Sequence, residues 1–162
     1  MSIQRIHEKS DILLSRQSGN MMENWQKTCI LVTEAVESYR FFLTRALGIE
    51  LISTSLHVDT AASLAEMESV LRGQNAPYAL AVCDLDLLGT DGTTLTRLVA
   101  DYQFTPLVVY SASDDLRVPQ RALNTGASGF FRRDSPATLI TQVVDIVLGA
   151  EAFALPSYLR PL

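Results

Sequence analysis

The chain alternates short apolar runs with longer segments whose apolar residues recur at helical spacing. Five runs have the length and composition of β-strands: CILVT at 29–33, ELISTS at 50–55, PYALAVCD at 77–84, TPLVVYS at 105–111 and SGFF at 128–131. The third run is continuously apolar, which is typical of a strand that a parallel sheet buries on both faces. The runs therefore predict a buried five-stranded sheet.

Helical segments separate these runs. The pattern predicts helices at 34–47, 60–73, 93–101, 116–124 and 136–148. Gly48, Gly73 and Gly149 are predicted to end the first, second and last helix, and Ser135-Pro136 is a helix start signal. Five strands that alternate with five helices indicate a doubly wound α/β fold, in which right-handed crossovers place helices on both faces of a parallel sheet.

In such folds ligands bind outside the carboxyl ends of the strands. Glu34 follows the first run, Asp84 ends the third, Ser111 ends the fourth, and Arg133 follows the fifth. Two carboxylates that are brought together repel unless a cation lies between them, and hard oxygen ligands with an open face suit Mg²⁺. The hydroxyl of Ser111 and the charge of Arg133 would then hold the oxygens of a phosphoryl group.

Composition restricts the class of protein. The 162 residues are 48% hydrophobic and 19% charged, which suits one well-packed domain and argues against disorder. The formal net charge of −5 argues against binding to nucleic acid or to a membrane surface by electrostatics alone. Because the sequence has neither an apolar run long enough to span a membrane nor a secretory leader pattern, we expect a cytoplasmic protein.

The two ends of the chain differ from its middle. Residues 1–26 are polar and contain a short amphipathic stretch, so we expect either a flexible leader or an arm that docks on a partner or a second copy. Residues 27–150 form the predicted domain, and 151–162 are a Pro-punctuated tail or the start of a linker.

Cys29 and Cys83 lie in apolar runs without metal-ligand spacing, which predicts buried reduced thiols and little support for a zinc site. His7 and His57 are isolated in the sequence and are predicted to be exposed polar residues rather than metal ligands or catalytic bases.

Two segments resemble the receiver domains of bacterial two-component response regulators. CDLDLLGTDG at 83–92 is similar to the stretch in which the phospho-accepting Asp is followed, seven and eight residues later, by Asp-Gly. GASGFFRRDSP at 126–136 resembles the segment around the last strand, and LGAEAFALPSYL at 148–159 resembles the tail after the last helix. The resemblance is strongest to NarL/FixJ-type regulators, which join a receiver to a helix-turn-helix domain.

The resemblance implies a flavodoxin-like fold with strand order 2-1-3-4-5. It implies that Asp84 accepts a phosphoryl group, with Ser111 and Arg133 contacting that group. It also implies that Glu34, Asp84 and the backbone carbonyl of Asp86 bind Mg²⁺, and that Ser111 and Phe130 form the switch.

The same resemblance implies a set of partners. A sensor histidine kinase or phosphotransfer protein would supply the phosphoryl group, so the domain would be a signalling protein rather than a turnover enzyme. A homodimer that forms without phosphorylation is predicted separately, from apolar residues of the first and last helices that exceed what the sheet can cover: Phe41, Phe42, Ile140, Val143, Val144 and Val147. A second candidate surface is the face formed by the fourth helix, the fifth strand and the fifth helix beneath Phe130. DNA would be contacted, and transcription regulated, only through an output domain absent from this chain.

The sequence also departs from the family pattern. Thr33 stands where a second acidic residue is usual, Leu88 replaces a Pro, and Arg133 replaces a near-invariant Lys. Since a planar guanidinium and a compact ammonium approach a phosphate differently, we expect weak Mg²⁺ binding and inefficient phosphorylation.

Alternative interpretations remain open for the same residues. Arg133 would also suit a salt bridge to Asp84 that closes the site without phosphate, Glu34 a first-turn helix acid, Ser111 a turn residue and Phe130 a core residue. An atypical receiver that works as a dimerisation or docking module without phosphorylation is the alternative function. A haloacid-dehalogenase-type phosphatase is disfavoured, because Leu87-Leu88 follow the second Asp where that family has Gly.

Overall fold

A computed structural model describes residues 29–50, 57–73 and 77–154 of the chain. Five parallel strands form one sheet: β1 (Cys29–Thr33), β2 (His57–Ala61), β3 (Leu80–Asp84), β4 (Leu107–Ser111) and β5 (Gly129–Arg132). Their order is β2-β1-β3-β4-β5, which confirms the predicted fold and strand order. In this order β1 and β3 are neighbours at the centre of the sheet, so their carboxyl ends lie side by side.

Five helices cover the sheet: α1 (Glu37–Glu50), α2 (Leu64–Gly73), α3 (Thr93–Asp101), α4 (Arg117–Thr125) and α5 (Ala137–Ala154). A 3-10 turn at Leu85–Leu88 follows β3 directly. Within the described residues no helix is long and apolar enough to cross a membrane. The predicted terminal arm (1–26) and the end of the predicted tail (155–162) lie outside the described residues.

The glycines at positions 48 and 149 do not end their helices as predicted. Helix α1 continues through Gly48 to Glu50, and α5 continues through Gly149 to Ala154, since one glycine inside a helix costs only about 1 kcal/mol relative to Ala. The second described strand is His57–Ala61, and residues 51–55 of the predicted run ELISTS lie outside the described residues. Among the described strands, β2 lies at the edge of the sheet and pairs with β1 alone, so its mixed sequence HVDTA needs no continuous apolar run.

The core has one layer on each face of the sheet. Side chains of β1, β3 and β4 that alternate to one face pack beneath α1 and α5, and those of the other face pack beneath α2, α3 and α4. The first layer contains Ile140, Val144 and Val147, all at most 5% exposed, so the expectation that they add to a surplus apolar surface was wrong. Large apolar side chains of that helix pair are nevertheless exposed, and among the described ones these are Phe41 at 62%, Phe42 at 37%, Leu139 at 43% and Ile146 at 71%.

A substitution at Gly129 tests how closely β5 packs against α5. A Cβ atom at Gly129 would lie 3.0 Å from a Val147 methyl and 3.1 Å from a Val143 methyl, both in the buried interface. We expect Gly129→Ala to lower the free energy of unfolding by about 1–3 kcal/mol through overpacking. The matched control is Gly48→Ala in α1, where no described atom lies within 4 Å of the added Cβ. This control should raise the free energy of unfolding by up to about 1 kcal/mol. Urea unfolding measures both, and equal effects would contradict the assignment of Gly129 to a closed interface.

Candidate functional site

The predicted site residues gather at the carboxyl ends of β1 and β3. Glu34 follows β1 directly, and its backbone N–H donates to the Ala61 carbonyl, so the residue still follows the strand path. Asp84 is the last residue of β3. Glu34 is fully buried and Asp84 is 7% exposed, which places two carboxylates in a site with little water.

Arg133 lies between these two carboxylates. Its Nη1 donates to Glu34 Oε2 at 3.1 Å and to Asp84 Oδ2 at 3.0 Å, and its Nη2 donates to Glu34 Oε1 at 3.3 Å. The guanidinium therefore forms a forked pair with Glu34 and a single bridge to Asp84. A planar fork matches a carboxylate in this way, whereas a lysine ammonium offers only a point charge.

Four donors saturate the buried carboxylate of Glu34. Besides the two Arg133 nitrogens, the Val36 backbone N–H donates to Oε1 at 2.7 Å, and the Tyr110 hydroxyl donates to Oε2. Burial, followed by the hydrogen bond to Glu34, raises the pKa of Tyr110 far above its usual range, so the phenol remains a donor. A buried carboxylate with this many donors is fixed in one orientation.

Helix α1 holds the Arg133 side chain from the other side. The guanidinium lies 4.3 Å from the centre of the Tyr39 ring, and the Tyr39 hydroxyl donates to the Arg133 carbonyl at 2.8 Å. The Arg133 backbone N–H donates to the Ser111 carbonyl at 3.0 Å, which fixes the start of the loop after β5. Cation–π contact and two backbone bonds therefore aim the guanidinium at the carboxylates.

Asp84 is the less satisfied of the two acids. Its Oδ1 accepts from the Asp86 N–H at 3.0 Å, and its Oδ2 accepts only from Arg133 among the described residues. Burial raises the pKa of Asp84 above its ordinary value, and the hydrogen bond from Asp86 and the charge of Arg133 offset that effect in part. Asp84 is thus a carboxylate whose charged form is partly desolvated.

The other predicted site residues surround this centre. Ser111 ends β4 and is 2% exposed, and its Oγ accepts from the Ser113 N–H at 3.1 Å, so it holds the loop that follows. The Asp86 side chain is exposed on the 3-10 turn. Phe130 of β5 is half-buried and packs against the core layer beneath α2, α3 and α4. The structure brings together the side chains of Glu34, Asp84 and Arg133. Ser111 meets Arg133 through its backbone carbonyl, and among the described residues no side-chain hydrogen bond joins Arg133 to Ser111, Asp86 or Phe130.

Receiver domains generally bind Mg²⁺ at an acidic site. Here the residues do not fit such an ion in this arrangement, because both oxygens of Glu34 are taken and the position between the two carboxylates holds a guanidinium. Thr33 offers a neutral hydroxyl in place of a carboxylate, and this buried hydroxyl has no hydrogen-bond partner among the described residues. The structure therefore shows the alternative arrangement, in which Arg133 forms a salt bridge to Asp84 and closes the site.

Sequence reasoning missed Tyr110 and Tyr39. Tyr110 directly precedes Ser111 in β4, and strand alternation turns its side chain to the opposite face of the sheet, beside Phe131 at 5.0 Å between ring centres. The available signal was a phenol inside an otherwise aliphatic strand, because a buried Tyr hydroxyl needs a partner. A buried phenol indicates that some hydrogen-bond partner exists, but it does not identify Glu34 as that partner.

The raised pKa of Asp84 predicts how stability depends on pH. A native carboxyl with a raised pKa binds more protons than the unfolded one, so its ionisation destabilises the fold as pH rises through that range. We therefore expect Asp84→Asn to have the larger free energy of unfolding at neutral pH, and to converge with the original protein in acid. Asp91→Asn is the opposite-sign control, since hydrogen bonds from Thr93 lower the pKa of Asp91. Urea unfolding across the acidic pH range measures both, and a less stable Asp84→Asn protein at neutral pH would refute the expectation.

The chain is similar to known signalling proteins over most of its length. It is 29% identical over 114 residues to a glycerol metabolism activator of Pseudomonas putida, which covers 70% of this chain and 48% of that relative. The chain thus spans about half the length of this curated relative. The signal receiver domain of the NarL response regulator from Mycobacterium tuberculosis has a TM-score of 0.56 and 28% identity, covering 76% of this chain and 98% of that one.

Structural likeness extends to a more distant protein. A response regulator receiver domain protein from Clostridium thermocellum has a TM-score of 0.64 at 14% identity, covering 79% of this chain and 99% of that chain, and this likeness supports the fold alone. The family model for the response regulator receiver domain matches residues 30–145. Because this match includes most of the chain, the chain belongs to the receiver domains of two-component response regulators.

Proposed function

We propose that this receiver domain signals through protein–protein contacts with its acidic site closed by Arg133, so that its output does not depend on phosphorylation of Asp84. The observation that carries the proposal is the bridge from one guanidinium nitrogen to Glu34 at 3.1 Å and to Asp84 at 3.0 Å. Charge neutralisation, which a divalent cation would otherwise provide, is here supplied by a side chain that is always charged.

Burial supports this proposal. A phosphoryl donor must reach Asp84 Oδ2, the oxygen that Arg133 occupies, and the Arg133 side chain is 26% exposed beside a fully buried Glu34. Removing Arg133 from Glu34 would leave a buried charge unpaired, which costs several kcal/mol. The closed arrangement is therefore a stable resting state.

Phosphorylation of Asp84 by a histidine kinase or phosphotransfer protein is the second candidate function. In that reaction Asp84 Oδ2 forms a bond to phosphorus while the phosphorus–nitrogen bond of the donor histidine breaks, and the histidine keeps the electron pair. The position of Asp84 at the end of β3 and the Asp91-Gly92 spacing favour it. Regulation of transcription through an output domain remains a prediction in either case, as does the cytoplasmic location.

Mass spectrometry separates the two candidates. Incubation with acetyl phosphate and Mg²⁺ should leave the mass of the original protein unchanged, because the cation position is filled. The double variant Thr33→Asp, Arg133→Lys restores a carboxylate and a compact ammonium, and we expect it to gain one phosphoryl group and measurable Mg²⁺ binding by calorimetry. The same double variant with Asp84→Asn is the control and should gain nothing. Stoichiometric phosphorylation of the original protein would contradict the proposal and favour the second candidate.

A homodimer is the partner that this proposal predicts, and α1 with α5 is the surface that suits it. These helices pack side by side, and Phe41 of α1 and Ile146 of α5 are exposed. The guanidinium of Arg45 lies 5.8 Å from the centre of the Phe41 ring. Large exposed apolar side chains of a small domain commonly mark an interface, and two-fold dimers are the commonest way to bury them.

Sedimentation of the unphosphorylated protein tests this surface. We expect a dimer at micromolar concentration that Ile146→Glu converts to a monomer, because the new charge would be buried in the interface. Leu116→Glu is the matched control, since Leu116 is 89% exposed at the start of α4, away from that face. A monomeric original protein, or equal loss in both variants, would refute the predicted surface.

A further inference from the structure

We propose that Cys29, His57 and Asp59 bind one divalent transition-metal ion, Zn²⁺ above all, at the amino-terminal edge of the sheet. One potential ligand atom from each residue lies within 4.8 Å of the other two. This edge is opposite to the Glu34–Asp84–Arg133 site, because Cys29 and His57 are the first residues of β1 and β2. The inference is independent of the proposed function.

Strand register creates the cluster. Cys29 pairs with His57 in the parallel β1–β2 ladder, so the two side chains leave the same face of the sheet from neighbouring strands. Asp59 lies two residues after His57, and the two-residue period of a strand returns its side chain to that face. Residues that are 28 and 30 positions apart in the chain are thereby held in contact by the backbone.

The burial of the three side chains suits capture of an ion from solvent. Cys29 is 5% exposed, whereas the side chains of His57 and Asp59 are 51% and 39% exposed. The sulfur thus forms the floor of the cluster, and the imidazole and carboxylate form its open side. His57 Nε2 lies 2.9 Å from Asp59 Oδ1, so the nitrogen and oxygen ligands already face each other.

A neighbouring hydroxyl fixes the carboxylate. The Tyr78 hydroxyl donates to Asp59 Oδ2 at 2.7 Å, and Tyr78 itself is 3% exposed. Hydrogen bonds of this kind to the non-coordinating oxygen orient metal-binding carboxylates and tune their affinity. Because Tyr78 engages Oδ2, Asp59 Oδ1 is the oxygen that is directed at the other ligands.

The set of donor atoms selects the ion. One thiolate, one imidazole and one carboxylate are the ligand types that bind Zn²⁺, and three protein ligands leave a fourth position for water or another group. A thiolate and a carboxylate also balance the two positive charges of the ion. On binding, the Cys29 thiol loses its proton to the solvent as the sulfur–metal bond forms, and no electron is transferred.

Cobalt titration of the full chain tests the site, since Co²⁺ reports thiolate ligation by absorption. We expect one equivalent of Co²⁺ to produce a sulfur-to-cobalt charge-transfer band, which Zn²⁺ then abolishes by displacement. Zn²⁺ should also raise the melting temperature of the protein, because an ion that binds only the folded state stabilises it. Mg²⁺ should neither produce this band nor displace Co²⁺ from the site.

Variants of the exposed ligands keep the test valid if the buried cysteine is needed for folding. His57→Gln and Asp59→Asn should each weaken Co²⁺ binding at least about tenfold, and Tyr78→Phe should weaken it by about 10- to 100-fold. Cys29→Ser should abolish the charge-transfer band, whereas Cys83→Ala, which removes the other described thiol, should leave it intact. Absence of the band in the original protein, or a band that persists in Cys29→Ser or is unchanged by His57→Gln, would overturn the proposal.

Discussion

The closed arrangement of the acidic site depends on one charged interaction, the guanidinium of Arg133 between the carboxylates of Glu34 and Asp84. The strand order β2-β1-β3 places these acids at adjacent strand ends, where their charges repel in a region that excludes most of the water. A cation must lie between them if both are ionised. An arginine meets that need at any concentration of metal ion, which makes the state of the site a property of the chain itself.

Aromatic rings around the site favour arginine as this cation. The ring of Tyr39 packs against the guanidinium, Tyr110 donates to Glu34 from the far side, and the two rings meet edge to face with 5.5 Å between their centres. Phe131 stacks on Tyr110 from β5, one residue before Arg132 and two before Arg133. The site is therefore continuous with the core layer beneath α1 and α5, and a change of the cation would disturb both the packing and the charge balance.

The fold could be predicted because its signals are local and repeated. Continuous apolar runs mark β1, β3 and β4, which are buried along their whole length, and the ends of these strands were predicted to within three residues. The edge strand β2 gave no such signal, because its mixed sequence HVDTA contains no continuous apolar run, and the predicted run ELISTS lies mostly outside the described residues. Gly48 and Gly149 indicated helix ends, but both helices continue past them, since one glycine inside a helix costs only about 1 kcal/mol relative to Ala.

The acidic site could be predicted only as a list of side chains at strand ends. The sequence indicated that Glu34, Asp84 and Arg133 would meet, since every parallel strand ends at the same edge of the sheet. The pairing of each donor with a particular carboxylate oxygen depends on side-chain rotamers and on the Tyr110 hydroxyl, which donates to Glu34. No spacing in the sequence encodes these contacts.

The pairing of β1 with β2 also brings side chains together at the opposite end of the sheet, where the strands begin. There it pairs Cys29 with His57, two residues that looked isolated because the chain separates them. A search for ligand spacing along the sequence detects sites built within one loop or one helix, such as paired cysteines. It does not detect a cluster formed by the ladder between two strands, since strand pairing is known only once the order of the sheet is known. Each edge of a parallel sheet therefore collects side chains independently, and the chemistry of the amino-terminal edge has to be judged from its own geometry.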